Sequence, residues 1–358
     1  MNNVVYLLGA GFSAPLGLPV MSNFLSVSRD LYFQDPARFS HFEGVFKTIS
    51  EMAVAKNIYH ANLWNIEEIL SILEMRESLG DVSPKREFVR YIGDVVQAQM
   101  PSEPIPHNPD TMQCFDFLFD DWKWDHYGKF FASLLRLTFM RRDFSAQGGA
   151  KCVRFGRRHE SSWRYGLVSL NYDEVCERVV RAFEFHYNSG SNAAAFHLGT
   201  DFSDLPKAFQ SALPLAKLHG TVGETIVPPT WNKNLHPDLV AVWKGAHQLL
   251  GKANHLRILG YSLPDSDAYI RYLFKSAAID SQHLKTIDII CLDPDGSVKR
   301  RYENFIDFPR MRFANKDLDA YLGFLMPNKV EVQHNSGEYR YDTLEGHHEN
   351  FMNEHSRK

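Results

Sequence analysis

The stretch "VVYLLGAGFSAPLGLP", Val4–Pro19, runs five apolar residues straight into Gly9-Ala10-Gly11 and then into a second turn, Gly17-Leu18-Pro19. An apolar run without alternation is the pattern of a strand buried on both faces. Glycines directly after it mark a turn where the backbone passes close to something else. Gly9, Gly11 and Ala14 fit the loose G-x-G-x-x-G/A pattern of a strand-to-helix turn whose free N–H groups hold phosphate. A turn with no ligand satisfies the same pattern. The dehydrogenase arrangement requires a second strand soon afterwards, ending in an acid. Asp30 and Asp35 in "SNFLSVSRDLYFQDP" (22–36) are near the required distance, but no buried strand precedes them. The sheet therefore does not continue in the dehydrogenase manner.

Four further runs have the character of the first: "YGLVSLNYD" (165–173), "LAKLHG" (215–220), "LRILGYS" (256–262) and "IDIICLDP" (287–294). Most are followed by segments of helical spacing. The expected fold class is α/β, a Rossmann-like parallel sheet with helices on both faces. Its core falls on residues 1–25 and 160–325. Residues 26–159 read as a large helical insertion rich in aromatics. "NIEEILSILEMRESLG" places Ile66, Ile69, Leu70 and Leu73 on one face, with Asn65 as its cap and Gly80 as its end. "FVRYIGDVVQAQM" (88–100) and "HYGKFFASLLRLTFM" (126–140) read the same way, and the prolines of "PSEPIPHNP" (101–109) make a loop. Residues 326–358 form a polar tail with a short strand near "KVEV" and a final helix. Its His347, His348 and His355 are expected in a solvated tail, not on a metal.

Bulk properties exclude several classes. The 358 residues are 44% apolar and 23% charged with a net charge of −4, so direct nucleic-acid binding is not indicated. The one basic stretch, "RRDFSAQGGAKCVRFGRRHE" (141–160), reads as a solvated loop. Cys114, Cys152, Cys176 and Cys291 show no Cys-x-x-Cys spacing, so neither a zinc ribbon nor a disulfide framework is expected. No signal peptide opens the chain and no run is long enough to cross a bilayer, which points to the cytoplasm.

Polar residues follow the apolar runs at four places. Gly9–Ser13 follow the first, and Asn171 and Asp173 the second. His219 with Gly220 follows the third, and Gly260, Ser262 and Asp265–Asp267 the fourth. In open α/β sheets ligands bind at the carboxyl ends of strands, so these sets should converge on one crevice.

The motifs "GAGFSAPLGLP", "NYD", "LHG" and "GYSLPDSD", in this order, resemble those of the sirtuin (SIR2) superfamily, and most the SIR2-like proteins of bacterial anti-phage defence. "IVPPTWNK" (226–233) and "LDPDG" (292–296) are similar to that branch too. The resemblance covers roughly residues 1–25 and 160–325. It implies that Gly9, Ala10, Gly11 and Ser13 hold the diphosphate and nearby ribose of NAD+. It implies Asn171 at the nicotinamide-side ribose and the attacking water, Asp173 at the carboxamide, and His219 as a base or hydrogen-bond partner of the ribose hydroxyls. Gly260, Tyr261 and Ser262 would contact the adenosine side, with Asp293 near the adenine. Deacylating sirtuins usually carry a zinc module with two Cys-x-x-Cys pairs, which this chain lacks. Their Gly-Ile-Pro turn leads into Asp-Phe-Arg, where this chain has Val20-Met21-Ser22.

With no peptide groove evident, the expected activity is an NAD+ glycohydrolase, with NAD+ as substrate and no metal, depleting cellular NAD+ in defence. Two alternatives stay open: an NAD-dependent protein deacylase, and a non-catalytic NAD or ADP-ribose module that signals through a partner. Restraint of such an activity implies a homo-oligomer or a partner protein, for example a DNA-acting ATPase. Trp64, Trp122, Trp124, Phe130 and Phe131 are candidates for packing between subunits, or for the insertion's own core.

Overall fold

The computed structural model describes residues 1–58, 63, 65–81, 84–107, 117–142, 152–158, 160–187, 197–224, 226–227, 237–281, 283–325, 330–331, 333, 338–341 and 343–356. In chain order, β1 (Asn2–Leu8) is followed by α1 (Phe24–Gln34), α2 (Phe42–Glu51), α3 (Ala53–Ile58), α4 (Ile66–Ser78), α5 (Lys85–Gln99) and α6 (Trp122–Leu135). A strand pair follows, β2 (Leu137–Arg142) and β3 (Cys152–Arg158). The chain then alternates through β4 (Trp163–Ser169), α7 (Val175–Tyr187), β5 (Leu198–Gly199), α8 (Leu205–Ser211), β6 (Leu213–Lys217), α9 (Pro237–Gly251) and β7 (His255–Leu259). It continues through α10 (Ala268–Asp280), β8 (Thr286–Ile290), α11 (Ser297–Phe305), β9 (Met311–Ala314) and α12 (Leu318–Phe324). Two short strands, β10 (Val330–Glu331) and β11 (Glu338–Arg340), precede α13 (Leu344–His355).

The main sheet is parallel, in the order β5-β6-β4-β1-β7-β8-β9. Leaving aside the two-residue edge strand β5, this is the 3-2-1-4-5-6 order of the Rossmann-like fold. Successive residues of β1 point to opposite faces. Val4, Tyr6 and Leu8 join a core with α1, α2 and α4–α7, while Val5 and Leu7 join one with α8–α11. Both faces are covered, so all five of these residues are fully buried and the sequence shows no alternation. The direction of strand addition reverses between β1 and β7, and the crevice outside the carboxyl ends opens there.

Three expectations need correction. The helical reading of 126–140 stops at Leu135, where Arg136 turns left-handed at φ 57°. Residues from Leu137 enter β2, which pairs with β3 and β11 in a four-stranded antiparallel sheet. The insertion is therefore not helical to residue 159, and the described parts of the basic stretch are strands in place of a solvated loop; residues 143–151 and 159 lie outside the described residues. Helical spacing and a short half-buried strand cannot be separated over so few residues.

The aromatics offered for subunit packing are mostly spent inside. Trp124, Phe130 and Phe131 are buried, Trp122 is exposed, and Trp64 lies outside the described residues. Phe130 meets Tyr6 of β1 edge to face at 5.2 Å, which locks α6 onto the sheet.

The end of the chain is not a solvated tail. Leu344, His348, Phe351 and Met352 of α13 are buried against the sheet side of the core. Charge complementarity holds it there. Glu345 pairs with Arg257 of β7 at 2.5 Å, and Glu349 with Arg312 of β9 at 2.7 Å. Asp288 of β8 accepts from Arg312 (2.7 and 3.0 Å) and from His348 Nε2 (3.0 Å), and Tyr321 donates to His348 Nδ1 at 2.8 Å. Burial alone would raise the Asp288 carboxyl, but the His348 and Arg312 hydrogen bonds outweigh it and hold the group well below the usual carboxylate range. Burial and the nearby Arg257 charge push the His348 imidazole down to about 4.

The unfolded imidazole, with a pKa near 6.5, takes up a proton that the folded one refuses, so this stabilisation is present above about pH 6.5 and lost as pH falls toward 4. Urea unfolding at pH 7 and pH 5 should therefore differ by on the order of 2 kcal/mol, with the acid side weaker. In His348→Gln this slope should flatten; an unchanged slope would place the titrating group elsewhere.

Candidate active site

The crevice at the β1/β7 reversal holds a cavity of about 790 Å³. Its floor is a lacing of three strand ends. The Gly9 N–H donates to Leu259 O (2.9 Å), Gly11 N–H to Gly260 O (2.9 Å), and Gly260 N–H to Ile290 O (2.8 Å). A methyl group on Gly9 would sit 2.7 Å from Gly260 O, and one on Gly260, at φ +64°, only 2.4 Å from the Gly11 carbonyl carbon. The glycines are thus required by the approach of β1 to β7.

That finding changes the phosphate reading. No α-helix opens at the turn. Two single 3₁₀ turns, Ala10–Phe12 and Ala14–Leu16, come first, and α1 starts only at Phe24. The Phe12 and Ser13 N–H groups bond to Gly9 O and Ala10 O. Four N–H groups of the turn, at 9, 11, 12 and 13, are therefore engaged within the protein. The expected cradle of free N–H groups at a helix start is not formed. Ala10 is the exposed member of the turn and lines the cavity with Gly9 and Gly11.

Asn171 and His219 enter from the ends of β4 and β6. Asn171 Nδ2 donates to Gly9 O (3.0 Å) and to Ser13 Oγ (3.2 Å), tying the β4 end to the glycine turn. Helix α6 clamps the turn from the insertion side, through a hydrogen bond from the Tyr127 hydroxyl to Phe12 O and an edge-on ring contact at 5.2 Å. His219 is buried, and its Nδ1 lies 2.9 Å from Leu170 O. A carbonyl only accepts, so Nδ1 carries the proton in the neutral ring and Nε2 is the basic nitrogen.

Asp173 lines the cavity, and its carboxylate caps α7 by accepting from Val175 N–H at 3.1 Å. Lys217 donates to the Asp173 carbonyl while pairing with Glu177 of α7 at 2.9 Å. The strand that delivers His219 therefore also braces the loop that carries Asn171 and Asp173.

Gly260, Tyr261 and Ser262 line the wall from β7, with Tyr261 donating to Asp267 at 2.8 Å. Two proposed contacts do not reach the cavity. Ser13 is buried behind the turn, as the partner of Asn171. Asp293 is buried as the cap of α11, accepting from Val298 N–H (3.0 Å) and Lys299 N–H (2.9 Å), while its neighbours Leu292 and Pro294 line the wall.

Several lining residues carried no mark of a site in the sequence, where Asn65 reads only as a helix cap. Asn65 and Glu67 bring the start of α4 against the β7 loop, where Asn65 donates to Ser266 at 3.2 Å. Ile92 and Val96 of α5 add an apolar wall, and Asp317 and Asp319 reach in from α12. Tyr172 lies between Asn171 and Asp173 with its ring 5.8 Å from that of His219. Its hydroxyl is buried with no hydrogen-bond partner among the described residues. Among the described lining residues there are five carboxylates, and His219 is the one group able to take a positive charge. Residues 228–233 of "IVPPTWNK" lie outside the described residues.

No family model matches this chain, and no curated protein matches it. Solved structures do match. One is Sir2 with the inhibitor EX-527, 2′-O-acetyl-ADP-ribose and a deacetylated p53 peptide, 14% identical over 90% of this chain and 92% of that one, at a TM-score of 0.23. A second is Sir2 with a p53 peptide and NAD+, 14% identical over 90% and 91%, at 0.25. A third concerns the structural basis of sirtuin substrate affinity, 13% identical over 89% and 91%, at 0.22. Superpositions at these scores define neither the site nor the activity of this chain.

Proposed function

We propose that the protein hydrolyses NAD+ to nicotinamide and ADP-ribose. The observation that carries this reading is the meeting of Asn171, Asp173 and His219 with the laced glycine turn in one cavity, at the carboxyl ends of β1, β4, β6 and β7. The volume suits a ligand of this size.

The glycosidic bond of NAD+ is activated already, because nicotinamide leaves a cation as a neutral pyridine. The carbon–nitrogen bond breaks with its electron pair going to the ring nitrogen, leaving an oxocarbenium-like sugar. A water oxygen bonds to that carbon and its proton is released. His219 Nε2 accepts this proton or orients the water through a ribose hydroxyl. The carboxylates around the cavity lower the energy of positive charge on the sugar. Asn171 holds the turn against which the ribose lies. Gly260, Tyr261 and Ser262 form the adenosine-side wall, while Ser13 and Asp293 act one layer behind. In the cell this activity would empty the NAD+ pool in anti-phage defence, under control of self-assembly or a partner protein.

Purified protein at several concentrations, supplied with NAD+, is expected to release nicotinamide and ADP-ribose in equal amounts. Acyl transfer products formed only with an acylated peptide would replace this reading with a deacylase. NAD+ binding without turnover at any concentration would replace it with a ligand-sensing module.

A further inference from the structure

A second cleft of about 620 Å³ lies at the opposite end of the main sheet, beside the amino ends of β1 and β4. Arg136, Glu160, Ser161, Ser162, Arg164 and Gln210 line it. Three arginines withdrawn from solvent elsewhere in this protein face carboxylates: Arg257 faces Glu345, Arg312 faces Asp288, and Arg178 faces Glu103. Here two share one cleft without that match. Arg136 Nη2 donates to Phe209 O at 3.3 Å, and neither Arg136 nor Arg164 has an ion pair among the described residues. Glu160 is exposed on the rim and pairs with neither. Burial and the Arg164 charge together push the Arg136 guanidinium below its ordinary value, the cost of two like charges with no anion between them.

We propose that this cleft is an anion site that takes a phosphate-bearing ligand on the forks of Arg136 and Arg164. Planar guanidinium groups match phosphate oxygens in pairs. No aromatic ring is among the described lining residues, so the site reads phosphate oxygens and offers no platform for a base. The shared chemistry is a multiply charged phosphate, either free or at the end of a larger molecule.

Calorimetric titration of the full chain with inorganic pyrophosphate tests this directly. Saturable binding is expected, at least ten-fold weaker in Arg164→Gln and in Arg136→Gln, and weakened by added salt. Because Arg136 also closes α6, Arg164→Gln carries the test if the other variant unfolds. Glu160→Gln, on the exposed rim, should tighten binding two- to five-fold. Asn171→Ala should leave this binding unchanged, which separates it from the cavity at the other end of the sheet. A 5′-phosphorylated oligonucleotide that binds where its unphosphorylated form does not would identify an end phosphate as the source, and pyrophosphate binding alone would identify a free one. No binding, or equal affinity in the wild type and both arginine variants, would overturn the proposal.

Discussion

Nicotinamide release should fall by about 10²- to 10⁴-fold in His219→Asn, with NAD+ affinity and folding retained. The asparagine amide still donates to Leu170 O, so the loop that His219 Nδ1 now holds at 2.9 Å stays in place. What is lost is the basic nitrogen. Asn171→Ala should act differently. It removes both donors to the glycine turn, the 3.0 Å bond to Gly9 O and the 3.2 Å bond to Ser13 Oγ, and so loosens the surface on which substrate lies. Turnover should drop, substrate affinity should weaken with it, and stability should fall by about 1–3 kcal/mol from the stranded buried acceptors. Single-turnover measurements with equilibrium NAD+ binding on both variants separate the two roles. Full activity in His219→Asn would remove His219 from the chemistry and leave the cavity as a binding site.

Gly260→Ala should be severely destabilising. Gly260 has φ +64°, where a side chain costs about 1–2 kcal/mol by conformation alone. The added carbon would also lie 2.4 Å from both Gly11 C and Phe12 N, which are backbone atoms of an opposing strand end. Relief requires β1 and β7 to part, which breaks the bond from Gly11 N–H to Gly260 O and opens the cavity floor. A loss above about 4 kcal/mol is expected, enough to leave much of the protein unfolded. Gly17→Ala is the matched control. Gly17 also has a positive φ, +95°, but nothing lies within 4 Å of the added carbon. It should cost only about 1–2 kcal/mol. Urea unfolding of the two variants checks this, and equal losses would show that conformation, not the approach of the strands, makes Gly260 necessary.

Much of the site was legible because of how parallel strands advertise themselves. β1, β4, β6, β7 and β8 are buried on both faces and appear as largely apolar runs, interrupted in β7 and β8 by the buried Arg257 and Asp288, and polar residues cluster at their carboxyl ends by geometry. Gly9–Gly11, Asn171, Asp173, His219 and Gly260–Ser262 all reach one cavity for that reason. β9, with only Met311–Ala314, gave too short a run to read. α13 reads as a polar tail because its few buried apolar residues are joined by ionic contacts to the sheet, whose partners Arg257, Asp288 and Arg312 lie 37 to 88 residues away.

From its sequence alone this protein had its parallel sheet, its strand ends and the identity of the residues placed there. These follow from local patterns, since burial on two faces and the need for glycine are written within a few residues. Only the tertiary structure decided what those residues do. It spent the turn's N–H groups on the neighbouring strand end and on the turn's own carbonyls, turned Ser13, Asp173 and Asp293 to bracing the site, and supplied Glu67, Asp317 and Asp319 as walls. Such roles depend on which groups meet across hundreds of residues, and no local pattern records that.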